Sequence, residues 1–264
     1  MHREDGEPGA RSGKEMEALQ LAAQLIMENG GETFRAEETV RWMGLGFGLQ
    51  QVESFAVPSG LFISYRTPEG RLETSVRRVR HRATDLTAVD QVNQISRSVA
   101  DGRMCARKAW EELKHIQQRR VSPWLSFPAA ACCAGGFAFL FLGGYPEALW
   151  SAGVAALVQG VSLLLEKIHG PGIAHLILGG LLTALLPNLL AVWLPGYNTQ
   201  AIIAGAMMPL VPGLAMTNAV QDTLRGDMVS GLSHGASALL TACLIAGGAL
   251  LAPPLIRLIT GGGL

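Results

Sequence analysis

The 264-residue chain carries 21 basic and 21 acidic side chains, a formal net charge of zero, and shows no basic stripe that would neutralise nucleic-acid phosphates. The balance hides an asymmetry. Residues 1–120 hold 35 of the charges, and only seven lie beyond: Glu147, Glu166, Lys167, Asp222, Arg225, Asp227 and Arg257. Two halves of different character are expected, with a boundary near Arg120.

Residues 1–14 are charged and glycine-rich and lack the apolar core of a secretory signal, so they read as a disordered leader. From 16 to 28, Leu19, Ala22, Ala23, Ile26 and Met27 recur at helical spacing; Gly30-Gly31 ends that helix and a second is expected over 33–43. Short strands follow at 54–57, 61–65 and 72–79, separated by Pro58-Ser59-Gly60 and Pro68-Glu69-Gly70. Two more helices are expected at 85–100 and 106–118. Helix pair, strand meander and helix pair make an α+β domain over 15–120, large enough for its own core.

A helix spans a bilayer with roughly 20 mostly apolar residues, because it rises about 1.5 Å per residue across about 30 Å of hydrocarbon. The transmembrane domain, 121–264, offers about five such stretches: 124–142, 146–165, 173–194, 199–220 and 230–252. Each ends in turn-forming or charged residues, and Trp124, Trp150, Trp193 and Tyr197 sit near the ends, where amphipathic rings favour the interface. The short loops holding Lys or Arg (Lys167 and Arg225), with Lys114, Arg119 and Arg120 ahead of the first span, place the N-terminal domain in the cytoplasm and the C-terminus outside. The fold class is thus a membrane protein, an N-terminal cytoplasmic α+β domain followed by an all-α bundle of about five transmembrane helices.

Small residues recur in the spans, as in Gly179-Gly180, Gly247-Gly248 and Gly231-x-x-x-Gly235; they read as packing within the bundle or as a dimer face. In the fourth span Pro209, Pro212 and Gly213 either kink the helix or break it at membrane depth, and a break is tolerated only where the backbone is buried in protein or lines a wet cavity. Thr217, Asn218, Asp222, Arg225 and Asp227 follow, so a polar path continues from the break. Asn188 and Thr183 in the third span, and Gln159, Ser233 and His234, are weaker candidates for the same cavity, or make interhelical hydrogen bonds.

Enzyme chemistry finds no support. Gly44-x-Gly46-x-Gly48 follows a helix rather than the strand a dinucleotide site requires. Glu166-x-x-His169 has no second copy, as a di-metal bundle would need. The four cysteines, Cys105, Cys132, Cys133 and Cys243, lack zinc or disulfide spacing, and no cofactor or metal is expected. On the second helix Glu32, Arg35, Glu37 and Glu38 form a charge cluster that Arg77 and Arg78 could join across the sheet, as a solvated face or a docking surface.

The strings Gly30-Gly-Glu-Thr-Phe-Arg-Ala-Glu-Glu-Thr39, Val57-Pro-Ser-Gly60 and Arg77-Arg-Val79 resemble the N-terminal domain of the threonine/serine exporter family. Pro209-Leu-Val-Pro-Gly-Leu-Ala-Met-Thr-Asn218, with Arg225-Gly-Asp227 and Gly231, is similar to that family's membrane signature, and the likeness runs over residues 16–252. The chain resembles the half-sized members, which work with a separate, smaller multispanning subunit and include exporters of dicarboxylates such as succinate. The resemblance implies export of a threonine- or serine-like amino acid or a dicarboxylate across the plasma membrane, driven by the proton motive force. The broken fourth span and its polar neighbours, read from the residues themselves, offer Pro209, Pro212, Gly213, Thr217, Asn218 and Asn188 as candidate substrate contacts. Asp222 or Asp227 becomes a candidate proton carrier, and Arg225 a partner for a substrate carboxylate. Expected partners are the bilayer, the substrate, that second subunit or a further copy of the chain, and no nucleic acid. The alternative is a membrane-anchored sensor whose cytoplasmic domain binds a ligand.

Overall fold

The computed structural model describes residues 8–80, 83–118, 122–168 and 171–260, with side chains for all of these except 8–13, 118 and 123. Residues 1–7 of the expected leader lie outside that set, as do His81, His169, Arg119 and Arg120. Contacts divide the described chain into two compact units. One holds the N-terminal residues through 118 together with Leu214–Ala236; the other holds 122–213 and 237–260.

In the first unit α1 (Pro8–Glu28) and α2 (Thr33–Gly46) precede an antiparallel sheet of β1 (Gln50–Val57), β2 (Gly60–Arg66) and β3 (Leu72–Arg78), in the order β1-β2-β3. Two helices, α3 (Leu86–Ala100) and α4 (Ala106–Gln118), complete the α+β part. Helix α1 starts ahead of the expected residue 16, whereas its apolar stripe falls where the spacing puts it. Leu19, Ala22, Ile26, Val40 and Met43 meet the inner face of the sheet, Leu61, Ile63 and Tyr65, in one core. Each such large apolar side chain contributes about 1.5–3 kcal/mol by leaving water. Buried Tyr65 keeps its hydroxyl satisfied by donating to Glu73 at 2.8 Å. Strand β1 begins four residues before the expected 54, with the register irregular between Gln50 and Glu53 and Gln51 at φ 48°. Its polar first half has no alternation to reveal it, and a bulge carries the pairing there.

The second unit contains α5 (Pro123–Leu140), α6 (Tyr145–Lys167), α7 (Ala174–Trp193) and α8 (Thr199–Met207). A 3₁₀ turn, Met208–Leu210, closes α8. Pro209 and Pro212 cannot donate a backbone hydrogen bond, so the chain leaves the α-helix here. Val211 is extended (φ −65°, ψ 131°) and helix α9 restarts as Gly213–Leu224. Helix α10 (Met228–Leu250) begins in the first unit and ends in the second, where α11 (Ala252–Ile259) packs Ala252 and Ile256 against Ala184.

Among the described residues three helices are long and apolar enough to cross a membrane: Tyr145–Lys167, Ala174–Trp193 and Met228–Ile259. The interrupted pair Thr199–Leu210 and Gly213–Leu224 makes a fourth if it is one span. The expected first span is a shorter apolar helix, Trp124–Leu140.

Glu147 on the first turn of α6 accepts backbone N–H groups from Gly144 (2.8 Å) and Asn198 (3.1 Å), and so ties the α5–α6 loop to the α7–α8 loop. Glu147→Ala removes both acceptors at once. It is expected to lower the thermal midpoint of the detergent-solubilised chain, whereas Glu147→Gln, whose carbonyl oxygen serves one donor, lowers it less.

Candidate functional site

The two strings of sequence that stand out, 30–39 and 213–231, meet inside the first unit. Gly30, at φ +89°, turns the chain out of α1, and Glu32 (φ −73°, ψ 150°) leads into α2 without capping it through its side chain. Thr33, 1% exposed, is therefore the first residue of α2, and its hydroxyl turns toward α9. It donates to Asp222 Oδ1 at 3.0 Å and reaches Asp227 Oδ2 at 3.3 Å. Two carboxylates thus sit at the amino end of α2, where the helix dipole favours negative charge by about 0.3–1 kcal/mol each.

Arg225-Gly226-Asp227 has a local explanation. Gly226, at φ +90°, is the left-handed residue that ends α9. Asp227 N–H donates to the Asp222 carbonyl (2.9 Å) and Gly226 N–H to that of Thr223 (3.1 Å), the paired bonds of a Schellman cap. Asp227 then opens α10, its Oδ1 accepting from Ser230 N–H at 3.1 Å. An added Cβ at Gly231 would lie 2.2 Å from Thr223 Oγ1, so only glycine lets α10 fold back so closely on α9. Gly235 faces Ala219 across the same hairpin, and the Gly-x-x-x-Gly pair is spent within the chain.

That close return delivers His234. Its Nδ1 lies 3.0 Å from Asp222 Oδ2, and the two side chains are 12% and 0% exposed. Asn218 secures the other end of the junction by donating from Nδ2 to the Gly30 carbonyl at 3.2 Å. The Arg225 guanidinium lies over the Phe34 ring, 3.4 Å from its centroid, a cation–π contact of about 0.5–2 kcal/mol. Ser230 presents a wholly buried hydroxyl without a protein partner among the described residues.

Four candidates from the sequence, Asn218, Asp222, Arg225 and Asp227, are therefore gathered on the start of α2. Glu32 accepts from Arg35 Nε at 2.8 Å, and Glu37 Oε1 accepts from the Ala56 N–H at 2.7 Å. Arg77 does not join them: its guanidinium is held by Gln24 (2.9 Å) and Gln20 (3.5 Å) on α1, while Arg78 and Glu38 are exposed. Thr217 is exposed on α9. Pro209, Pro212, Gly213 and Asn188 belong to the second unit, and Asn188 donates to the Ala184 carbonyl of its own helix at 2.7 Å. Among the described residues no group of His, Cys, Asp and Glu is placed to hold a metal ion.

Sequence reasoning missed Thr33 and undervalued His234. A helix, a glycine turn and a second helix with a small residue early in its first turns was the available signal, because such a hairpin brings residues on either side of the turn together.

The site opens onto a cleft of about 1030 Å³ lined by Phe34, Glu37, Glu38, Arg41, Glu53 and Arg225, among others. Burial pushes the Glu37 carboxyl above its ordinary value of 4.5, and the charges of Asp227 and Asp222 add to the rise against the Ala56 hydrogen bond. Burial works the same way on Glu32, but the hydrogen bond and charge of Arg35, with Arg225, outweigh it and hold that carboxyl low.

The signs of these shifts set opposite pH dependences. The contribution of Glu37 is fully present below its unfolded value and is lost as pH rises through its raised folded value. That of Glu32 is present at neutral pH and is lost as pH falls through its lowered one. Glu37→Gln keeps the acceptor for Ala56 and removes the charge. It is expected to raise the thermal midpoint at pH 7, with the gain over wild type shrinking toward pH 4.5.

Comparison with known proteins places these features. The sequence signature of the family described as "Putative threonine/serine exporter" matches residues 17–255. A "Probable threonine/serine exporter" of Mycobacterium tuberculosis is 23% identical over 229 residues, which is 85% of this chain and 43% of that protein. The chain thus spans less than half the length of that relative. A "Probable succinate transporter subunit YjjP" of Escherichia coli is 26% identical over 216 residues, 81% of this chain and 83% of that one. The protein of the same description from Klebsiella aerogenes is 25% identical over 221 residues, 82% and 84% of the two chains. No solved structure matches.

Proposed function

The chain belongs to the threonine/serine exporter family, whose members are transporters and not enzymes, and on that premise we propose that it is a subunit of a secondary exporter of a small polar metabolite. The observation that carries this reading is the junction at Thr33. It draws the two motifs together around buried Asp222 and sets Arg225 at the mouth of a charged cleft. Buried ionisable groups in membrane proteins mark ion and polar-substrate pathways, and a helix interrupted as at Pro209 and Pro212 is a second feature that transporters use.

The substrate is a threonine- or serine-like amino acid or a dicarboxylate such as succinate, and the proton motive force drives export. Arg225 attracts a substrate carboxylate, Asp222 or Asp227 takes part in coupling to the proton, and Pro209, Pro212, Gly213, Thr217, Asn218 and Asn188 line the path. The chain is multi-pass in the plasma membrane, with its N-terminal domain cytoplasmic and its C-terminus outside. By likeness to the succinate transporter subunits, a second, smaller multispanning subunit completes the pathway.

The test is efflux of preloaded threonine, serine and succinate from cells expressing this chain alone, the chain with that second subunit, or the Asp222→Asn variant with it. Subunit-dependent efflux of one compound, lost in the variant, is the expected result. No efflux of any compound in any combination refutes the reading.

A second reading draws on the same cleft. With Arg41 and Arg225 beside Glu37, Glu38 and Glu53, it suits a small zwitterion, and the first unit would then sense a ligand. Saturable binding of threonine to a full-length chain that transports nothing would favour it.

A further inference from the structure

Thr33 has one hydroxyl hydrogen and two carboxylates within reach, Asp222 Oδ1 at 3.0 Å and Asp227 Oδ2 at 3.3 Å. It can serve only one at a time. Asp222, 0% exposed, needs a cationic or protonated partner, because an unpaired buried carboxylate is costly. The charged groups around it are mostly engaged or of the same sign. Asp227 and Glu37 are acidic neighbours, Arg35 is held by Glu32, and Arg225 lies over Phe34. His234 is the group at hydrogen-bond distance that can supply the missing charge.

We propose that Asp222 and His234 form a proton-binding site and that the Thr33 hydroxyl transmits its occupancy to the amino end of α2. Assigning this proton to a transport cycle rests on the exporter reading above. His234 takes one proton at Nε2 from a hydronium ion while its Nδ1–H keeps donating to Asp222 Oδ2. One N–H bond forms, one hydronium O–H bond breaks, and neutral water leaves. The imidazolium then neutralises Asp222, and the Thr33 hydrogen swings from Asp222 Oδ1 to Asp227 Oδ2. Donor and acceptors lie on different elements, α2 on one side and the end of α9 with its cap on the other. Protonation therefore shifts the tie between them from a carboxylate within α9 to one beyond its glycine turn. The partly exposed edge of His234 gives the proton its way in.

The test is nitrogen NMR of ¹⁵N-histidine in the full-length chain in lipid nanodiscs, with the His234 signal assigned by its loss in His234→Gln. A pH-dependent change of the His234 nitrogen signals is expected in the wild-type chain. In Asp222→Asn its proton affinity falls about tenfold or more, because the carboxylate that favours the imidazolium is gone. In Thr33→Val it rises, since Asp222 loses a competing donor, and Thr33→Ser restores the wild-type value. Thermal melts of each variant check that the fold is kept. Efflux by the assembled transporter should follow the same midpoints.

Opposite shifts in the two variants support the proposal. An unshifted midpoint in both, with efflux intact, overturns the proton site and leaves the exporter reading standing. A His234 that titrates as expected in a chain that exports nothing sinks the exporter reading, and with it the assignment of this proton to a transport cycle.

Discussion

Gly248→Val is expected to abolish recovery of folded, monodisperse protein in mild detergent, and Gly180→Val to do the same. The two glycines mark a reciprocal contact between α7 and α10. A Cβ at Gly180 would lie 2.1 Å from the Ile245 carbonyl oxygen, and one at Gly248 would lie 2.1 Å from that of Ile177. Both clashes are with backbone, so no side-chain rotation relieves them, and the helices would have to separate along their whole crossing. Overpacking of a well-filled site costs about 1–3 kcal/mol where side chains can adjust, and more where they cannot. Lipid supplies little hydrophobic drive to hold parted helices together, so the lost contact is not replaced. Gly247, the immediate neighbour, is the control, because a Cβ there meets no atom within 4 Å. Thermal midpoints and size-exclusion profiles of Gly247→Val and Gly248→Val decide the matter. Equal behaviour of the two would show that α7 and α10 do not cross here.

The glycine pairs were legible in the sequence as packing elements, but which member of each pair meets the backbone of the crossing helix was not. Gly179-Gly180 and Gly247-Gly248 read alike, and only the crossing of α7 and α10 separates Gly248 from Gly247. The α+β half was legible because its signals are local: the stripe of Leu19, Ala22 and Ile26, the turn at Pro58-Ser59-Gly60, and the positive φ that Gly30 supplies. The start of β1 was not, because Gln50 to Glu53 carry no period of two and pair through a bulge.

The membrane half was legible as apolar and helical, and the break at Pro209 and Pro212 followed from proline chemistry. The span count was less so, since α5 is short and α9 packs with the N-terminal residues as one compact unit. At the candidate site, Asp222, Arg225 and Asp227 stood out as charges among apolar neighbours. Thr33 could not stand out, being one of many threonines at a helix start, and its role depends on a contact across 189 positions of sequence.

Asp222→Asn is expected to cut efflux by at least about tenfold while leaving the fold nearly intact, whereas Asp222→Ala is expected to lose both. The carboxylate is wholly buried and accepts at both oxygens, from Thr33 at 3.0 Å and opposite His234 at 3.0 Å. Asparagine has the same shape. Its carbonyl oxygen can still accept from Thr33 and its amide can donate to a neutral His234, so the hydrogen-bond count survives and only the charge goes. Alanine leaves a cavity and an imidazole without its partner, at a cost of about 1–3 kcal/mol for each stranded polar group. The Schellman cap itself is not at risk, because Asp227 N–H uses the Asp222 backbone carbonyl, which every substitution retains.

The two variants therefore separate charge from packing, with thermal unfolding reading one and efflux the other. His234→Gln tests the same logic from the opposite side. Coupling between the two residues means that the double variant, Asp222→Asn with His234→Gln, should be no worse in efflux than Asp222→Asn alone. Additive losses would mean that the pair acts at two separate places and not as one site. Full efflux in Asp222→Asn would show that the buried charge serves the fold of the junction and nothing that moves through the membrane.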